Sequence, residues 1–358
     1  FCPLVCVTPL PTMVQEMAEY LGAAVTYTIR ARGIVSDEHS QVFHPTCLSR
    51  IMANSEADVV LAVGTRLGEL NMWGQPPMFG DADQQQLIQI DTEPTHMGLN
   101  RPVDVPLVGD AAVVLTQLME VVKSRTQKRK LHPKIDELRT VQDGWQQELD
   151  DAVADMERSP MLTGQILKVC NDFFPGDAVM VMDGGNTTLW SIHYHVPKIQ
   201  RSVIYSMNYG HLGTGLPYAI GAKLAQPDKS VYCVTGDSAF GFNLQELETA
   251  VRHNLPVIII VAVDGAYGME KSAQRRAFGR EADWFDHDHA PVRYDQVAMA
   301  MGCHGEYVKK ASEIQSALER SVASGKPAVI HADVDPVANI DPPGAWLWVA
   351  ARTGKIEM

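Results

Sequence analysis

Asp237 and Asp264 stand 27 residues apart, each set among small residues: Gly236, Ser238 and Ala239 around the first, Gly265, Ala266 and Gly268 around the second. Each follows an apolar run, residues 230–235 and 257–263, and a helical pattern over 244–253 joins them. Strand, helix and strand at this spacing make one right-handed parallel crossover. Both acids then fall just past the carboxyl ends of their strands, where open parallel sheets bind ligands. Two adjacent carboxylates repel unless a proton or a cation lies between them. A hard divalent cation such as Mg²⁺ takes oxygen ligands and bridges protein carboxylates to phosphates. The small residues let backbone approach a bulky anion and aim N–H groups at it. The chemistry this predicts is a metal–diphosphate site. Either turn alone is ordinary strand-end sequence; the pair at crossover spacing carries the argument.

The elements needed to position such a site are present. In the first part, residues 3–7, 23–28, 57–63 and 86–90 read as strands, and 12–21 and 111–122 as helices, Met13, Met17 and Tyr20 or Leu21 sharing one face. In the second, 163–173 and 216–224 read as helices. Residues 178–182 form a strand running into Asp183-Gly184-Gly185-Asn186, and 328–332 form the closing strand. Strands alternating with helices predict an α/β protein of two doubly wound, parallel-sheet, Rossmann-like domains. The first spans 1–125 and the second 161–358. Residues 126–160 form a linker containing a helix, its basic and acidic runs facing solvent.

Several ordered segments then resemble one family. Gly236-Asp237-Ser238, Asn254-Leu255-Pro256 and Asp264-Gly265 resemble the thiamine diphosphate motif, which opens with Gly-Asp-Gly or Gly-Asp-Ser and closes with two asparagines. "GHLGTGLPYAIGAKLAQP" (210–227) and "DGGNTTLW" (183–190) are similar to segments of acetolactate synthase, benzoylformate decarboxylase and oxalyl-CoA decarboxylase. "ADVVLAVGTRLGE" and "IQIDTEPTHMGLNRPVDVPLVGDA" resemble the central domain of that superfamily. The resemblance implies thiamine diphosphate and Mg²⁺ as cofactors, with Asp237, Asp264 and the Ala266 carbonyl as metal ligands. It implies diphosphate contacts from Ser238, Ala239, Tyr267 and Gly268, with Asn186 and Thr187 on the other side. Gly210, Gly236 and Met269 complete the cofactor-binding set. Leu212 matches the apolar wedge that bends the cofactor, with His211 beside it as the second catalytic candidate. Whether the central domain holds FAD, ADP or nothing stays open.

The implied activity is that of an acetolactate synthase-like lyase or carboligase, which decarboxylates a 2-oxo acid or related acyl donor. The alternative is a non-catalytic, cofactor- or nucleotide-binding regulatory subunit of the same fold. A nicotinamide dehydrogenase ranks last, because no GxGxxG opens a helix after a strand. Two departures stand out. Val263-Asp264 occupies the place of the asparagine pair, and His211 that of a small residue. An extra charge about 4 Å from another is worth about 4 kcal/mol at an effective dielectric near 20. Nearby Lys or Arg, or a raised carboxyl pKa, must offset it. The resemblance also implies a domain ahead of the central one, carrying the glutamate that activates the cofactor. No residue here matches that glutamate; Glu16 and Glu19 fall on the 12–21 helix. The chain opens with Phe1. The expectation is therefore a pyrimidine-domain partner of roughly 170–200 residues, on a separate polypeptide or a removed segment, in a homo- or hetero-oligomer.

Composition sets the outer limits. The 358 residues have a net charge of −13, which repels nucleic-acid phosphates. The longest apolar run, 257–263, is far short of a membrane span. Six scattered cysteines without a CxxC pair, and no signal peptide, predict a reducing, cytoplasmic setting. The pairs His193/His195 and His287/His289 would share a face if placed in strands. The second is expected in a solvated acidic loop or, less simply, beside a substrate channel. Lys271, Arg275, Arg276 and Arg280 read as a solvated helix face or an anion-recognising group. Met269, Trp346 and Trp348 read equally as pocket lining or core.

Overall fold

The computed structural model describes residues 10–199, 202–206, 210–278 and 287–338. The expected strand at 3–7, Arg280, Trp346 and Trp348 lie outside the described residues. The chain divides into two compact units: among the described residues, one takes 10–148 and 197–199, and the other 149–196 and those from 202 to 338. Both are α/β with all-parallel pairing, as the alternation predicts. No described helix is long and apolar enough to cross a membrane.

The first unit opens with α1 (Leu10–Leu21), a strand pair β1 (Val25–Thr26) and β2 (Val42–Phe43), and α2 (Leu48–Ser55). A three-stranded sheet follows in the order β3 (Val59–Val63), β4 (Gln86–Asp91), β5 (Val105–Val108), then α3 (Ala111–Arg125). Alternate residues of these strands serve two cores. Val63 and Ile90 pack with α1 and α3, whereas Ala62 and Leu87 pack with Ile51 of α2 and with Met72, Met78 and Phe79. The helix expected in the linker is α4 (Lys134–Ala152), which crosses the boundary between the units. Its first turns are not wholly solvated: Ile135 and Leu138 are buried against Phe43. The apolar i, i+3 pair within a charged stretch was the signal for this.

The second unit is a six-stranded sheet. In chain order it comprises α5 (Thr163–Phe173), β6 (Val179–Met182), α6 (Asn186–Tyr194), β7 (Val203–Ile204), α7 (Gly215–Ala225) and β8 (Val231–Gly236). Then come α8 (Asp237–Asn243), α9 (Leu247–Arg252), β9 (Ile258–Val263), α10 (Gly268–Phe278), α11 (Tyr294–Ala300), β10 (His304–Val308), α12 (Ile314–Ala323) and β11 (Ala328–Asp333). The order across the sheet is β10-β11-β9-β8-β6-β7. Val179, Val181, Val231, Cys233, Ile259 and Val261 face a core shared with α7, α8, α9 and α11. The intervening Met180, Met182, Tyr232, Val234, Ile258 and Ile260 are also buried, since helices cover both faces and strands so enclosed read as continuous apolar runs.

The order reverses beside β6. The chain leaves β6 for β7 on one side and returns to β8 on the other, so a crevice opens outside the carboxyl ends of β6 and β8. One side of that crevice depends on α6, which is set by α5. The Trp190 side chain, 1% exposed, lies over Gly164. A Cβ at Gly164 would stand 2.8 Å from Trp190 Cζ3 and 2.8 Å from Val153 Cγ1. Replacing Gly by Ala inside a helix gains about 1 kcal/mol, but overpacking a rigid ring costs about 1–3 kcal/mol. Gly164→Ala is therefore expected to lower stability by up to about 2 kcal/mol in urea unfolding, and a more stable variant would contradict this packing.

Candidate functional site

Parallel register brings the two aspartates together. Gly236 of β8 pairs with Ala262 of β9, so Asp237 and Asp264 emerge side by side at the carboxyl edge of the sheet. Asp237 begins α8, and its carboxylate accepts from the backbone N–H groups of Ser238 (2.7 Å) and Gly265 (2.8 Å). Asp264 accepts from the Ala266 N–H at 3.1 Å. The charge of Asp237 bears directly on Asp264, so the two carboxyls resist being ionised together. Asp237 is 2% exposed. Burial first, and for Asp264 also its partner's charge, push the pair up to about 6 at Asp237 and about 7 at Asp264. Of the two offsets the sequence allows for the extra charge, the structure has the raised pKa.

The crevice closes around this pair. From β6, Gly184 (φ +99°) passes so close to β8 that a Cβ would stand 3.2 Å from the Gly236 nitrogen. Asn186 and Thr187 open α6 at this point. A side chain at Gly236 would meet Thr187 Oγ1 at 3.1 Å. One at Gly268 would run into the Asp264 carboxylate and stand 3.1 Å from Asn186 Nδ2. Asn186 Nδ2 and Thr188 Oγ1 are buried without a hydrogen-bond partner. A buried donor left unpaired costs about 1–3 kcal/mol. An orphaned amide donor, two carboxyls, a carbonyl at Ala266 and two glycine walls fit a divalent cation bridged to a diphosphate. Among the described residues no three His, Cys, Asp or Glu side chains gather as a metal cluster, so a cation here would draw further oxygens from its ligand.

The other expected residues fall as follows. Ser238 Oγ donates to the Ala266 carbonyl at 2.8 Å, and Ala239 is buried in α8. Met269 packs on Gly185 of the β6 loop. Leu212 is half-buried in the turn before α7, with Gly210 and His211 exposed ahead of it. That turn is pinned from both sides: Asn243 Nδ2 donates to the Gly213 carbonyl at 2.7 Å, and the N–H groups of Gly213 and Gly215 donate to Asp183 at 3.2 and 2.8 Å. Burial raises the Asp183 pKa; these N–H groups and His211 oppose the rise. Sequence reading quoted Asp183 without giving it this anchoring task. A carboxylate at a strand end between glycines was the available signal.

The histidine pairs part company. His193 lies in the last turn of α6 and His195 just past it, so they share no strand face. Each is tied elsewhere: His193 Nδ1 to the Leu189 carbonyl, His195 Nδ1 to Asn171 Oδ1. The second pair lies in a partly solvated segment, with Asp288 exposed and both histidines half-buried. Residues 287–289 lie antiparallel on residues 265–267. Tyr267 N–H donates to the His287 carbonyl at 2.9 Å and His289 N–H to the Gly265 carbonyl at 2.7 Å. His289 Nε2 is 2.7 Å from Ser238 Oγ, and its charge opposes the rise at Asp264. Lys271 pairs with Asp288 at 2.5 Å.

The comparisons with known proteins agree with this geometry. Residues 183–332 match the thiamine pyrophosphate enzyme C-terminal TPP-binding domain, and residues 10–118 match the thiamine pyrophosphate enzyme central domain. The chain belongs to the thiamine-pyrophosphate enzyme family, of which it carries these two domains. Among its relatives are a probable acetolactate synthase large subunit of Methanococcus aeolicus, 28% identical over 93% of this chain and 57% of the relative, and an acetolactate synthase large subunit of Mycobacterium tuberculosis, 32% identical over 86% of this chain and 53% of the relative. The large subunit of Escherichia coli acetolactate synthase isozyme 2 is 27% identical over 93% of this chain. The chain spans little more than half the length of the first two.

The carboxyl pair generates a prediction with a definite sign. A carboxyl whose folded pKa lies above its unfolded value holds its proton better in the folded state. Ligand-free stability is therefore full below the unfolded value and is lost between about pH 4 and 7. Asp264→Asn removes one of the two raised carboxyls. The variant is expected to gain on the order of 2–4 kcal/mol of stability at pH 8 without metal, and distinctly less at pH 5, in urea unfolding. Equal effects at both values would contradict the raised pair.

Proposed function

We propose that this chain binds Mg²⁺ and thiamine diphosphate in the β6–β8–β9 crevice and acts in acetolactate synthase-like chemistry, decarboxylating a 2-oxo acid or related acyl donor and passing the acyl unit on. The observation that carries this is the carboxyl pair facing an orphaned Asn186 amide across Gly236 and Gly268. The printed names of the relatives support the acetolactate synthase direction. When bound, thiamine diphosphate supplies an electron sink for loss of CO₂.

The residues have distinct tasks in this reading. Asp237, Asp264 and the Ala266 carbonyl would hold the cation, whose charge would offset that of the two carboxylates. Asn186, Thr187, Ser238, Ala239, Tyr267 and Gly268 bind and orient the diphosphate, with Gly210, Gly236 and Met269 shaping its walls. Leu212, fixed through Asp183 and Asn243, presses on the bent cofactor, and His211 stands beside it toward the acyl donor. The general acid facing the pyrimidine ring comes from a glutamate of another domain, on this protein or on a partner in an oligomer. Residues 1–125 and 161–358 form the central and diphosphate domains, joined by 126–160, in a cytoplasmic protein.

A second reading, a cofactor-binding subunit without catalysis, is favoured by one observation: Asp264 stands where the resemblance expects asparagine. Calorimetry with and without EDTA, on wild type and Asp237→Ala, tests the site. Mg²⁺-dependent binding weakened at least about tenfold by Asp237→Ala or by chelation is expected, as for loss of a metal ligand. Equal affinity in all four conditions would remove the site. Release of CO₂ from pyruvate in the presence of the glutamate-bearing domain separates the two readings. Turnover supports the enzyme, and cofactor binding without turnover supports the regulatory subunit.

A further inference from the structure

Residues 287–289 form a strap over the loop at residues 265–267, and the strap delivers one side chain to the heart of the crevice. Its backbone is paired to the loop at both ends, and Asp288 is tied to Lys271 of α10. The Tyr267 ring meets the His289 ring edge to face, centroids 4.7 Å apart. The imidazole is thus held by backbone and by ring contact while Nε2 reaches Ser238 Oγ at 2.7 Å. Ser238 Oγ lies at the same time 2.8 Å from the Ala266 carbonyl.

A hydroxyl has one proton to give. The Ala266 carbonyl can only accept, so the hydroxyl proton points to it and the contact with His289 must run the other way, Nε2–H to Oγ. Were the imidazole to accept instead, the hydroxyl proton would be spent on the strap rather than on the Ala266 carbonyl. We infer that His289 is a positioning residue for the diphosphate: by donating to Ser238 Oγ it keeps the hydroxyl proton on the Ala266 side, from which it can turn to a phosphate oxygen once that carbonyl serves a cation. A donor on one lone pair also polarises the O–H bond and strengthens the bond it makes onward. The inference rests on the reading of this crevice as a thiamine diphosphate site.

The test is calorimetric binding of Mg²⁺–thiamine diphosphate to the full-length protein in a double-mutant cycle. His289→Leu is expected to raise Kd about tenfold when residue 238 is serine, the scale of one neutral hydrogen bond. In a Ser238→Ala background the same change should cost less than about twofold, because no hydroxyl remains to be aimed. His289→Gln, which keeps an N–H donor of similar reach, should stay within about threefold of wild type. The melting midpoint of each ligand-free variant reports folding. Should His289→Leu fail to fold, His289→Asn, polar but too short, takes its place. An equal loss in both backgrounds, or no loss with serine present, would overturn the role of His289 and leave the site standing. Absence of saturable binding by the wild type would overturn both.

Discussion

Everything at the carboxyl edge of the second unit answers to one electrostatic constraint: two carboxyl groups side by side, one buried and one half-buried. The register of β8 and β9 leaves no choice about their proximity, since Gly236 is paired with Ala262, Asp237 follows directly and Asp264 one residue later. Three backbone N–H groups hold the pair. That arrangement is tolerable when protonated and costly when not. A divalent cation, as proposed, would relieve it at neutral pH, and the surrounding atoms would suit the anion such a cation carries.

The fold supplies the pieces from four places. The β6 loop brings Asn186 and Thr187, the β8 turn brings Asp237 and Ser238, and the β9 turn brings Asp264 to Gly268. The strap at 287–289 brings His289. Two close approaches permit the convergence, Gly184 against Gly236 and Gly268 against Asp264 and Asn186. Asp183 ties a further turn, the one bearing Leu212, to the end of β6. The reversal of strand order beside β6 makes room for all of this in one crevice.

Much of the fold was legible because parallel strands buried on both faces announce themselves as apolar runs; β6, β8, β9 and β11 lie where such runs occur. The short or half-buried elements were not. β10 reads His-Gly-Glu-Tyr-Val, with no apolar alternation. α6 begins at a Gly-Gly-Asn-Thr-Thr stretch that looks like loop, and forms a helix because Trp190 buries itself against α5. The carboxyl pair was legible from spacing, since a crossover converts sequence distance into adjacency. The strap was not: it pairs with a loop far from it in the sequence, and no periodicity encodes that. His289 reads as a solvated polar residue until its ring is seen on Ser238.

The central claim is that a cation takes the place of a proton held on the Asp237–Asp264 pair. It is tested most directly by counting protons released when Mg²⁺–thiamine diphosphate binds at pH 6.5. The count comes from calorimetry in two buffers of different ionisation enthalpy, comparing wild type with Asp264→Asn. Metal binding displaces protons from its ligands, and the variant lacks one of the two raised carboxyls. The account predicts that wild type releases between about half and one proton more than Asp264→Asn. Equal release from the two proteins would contradict it.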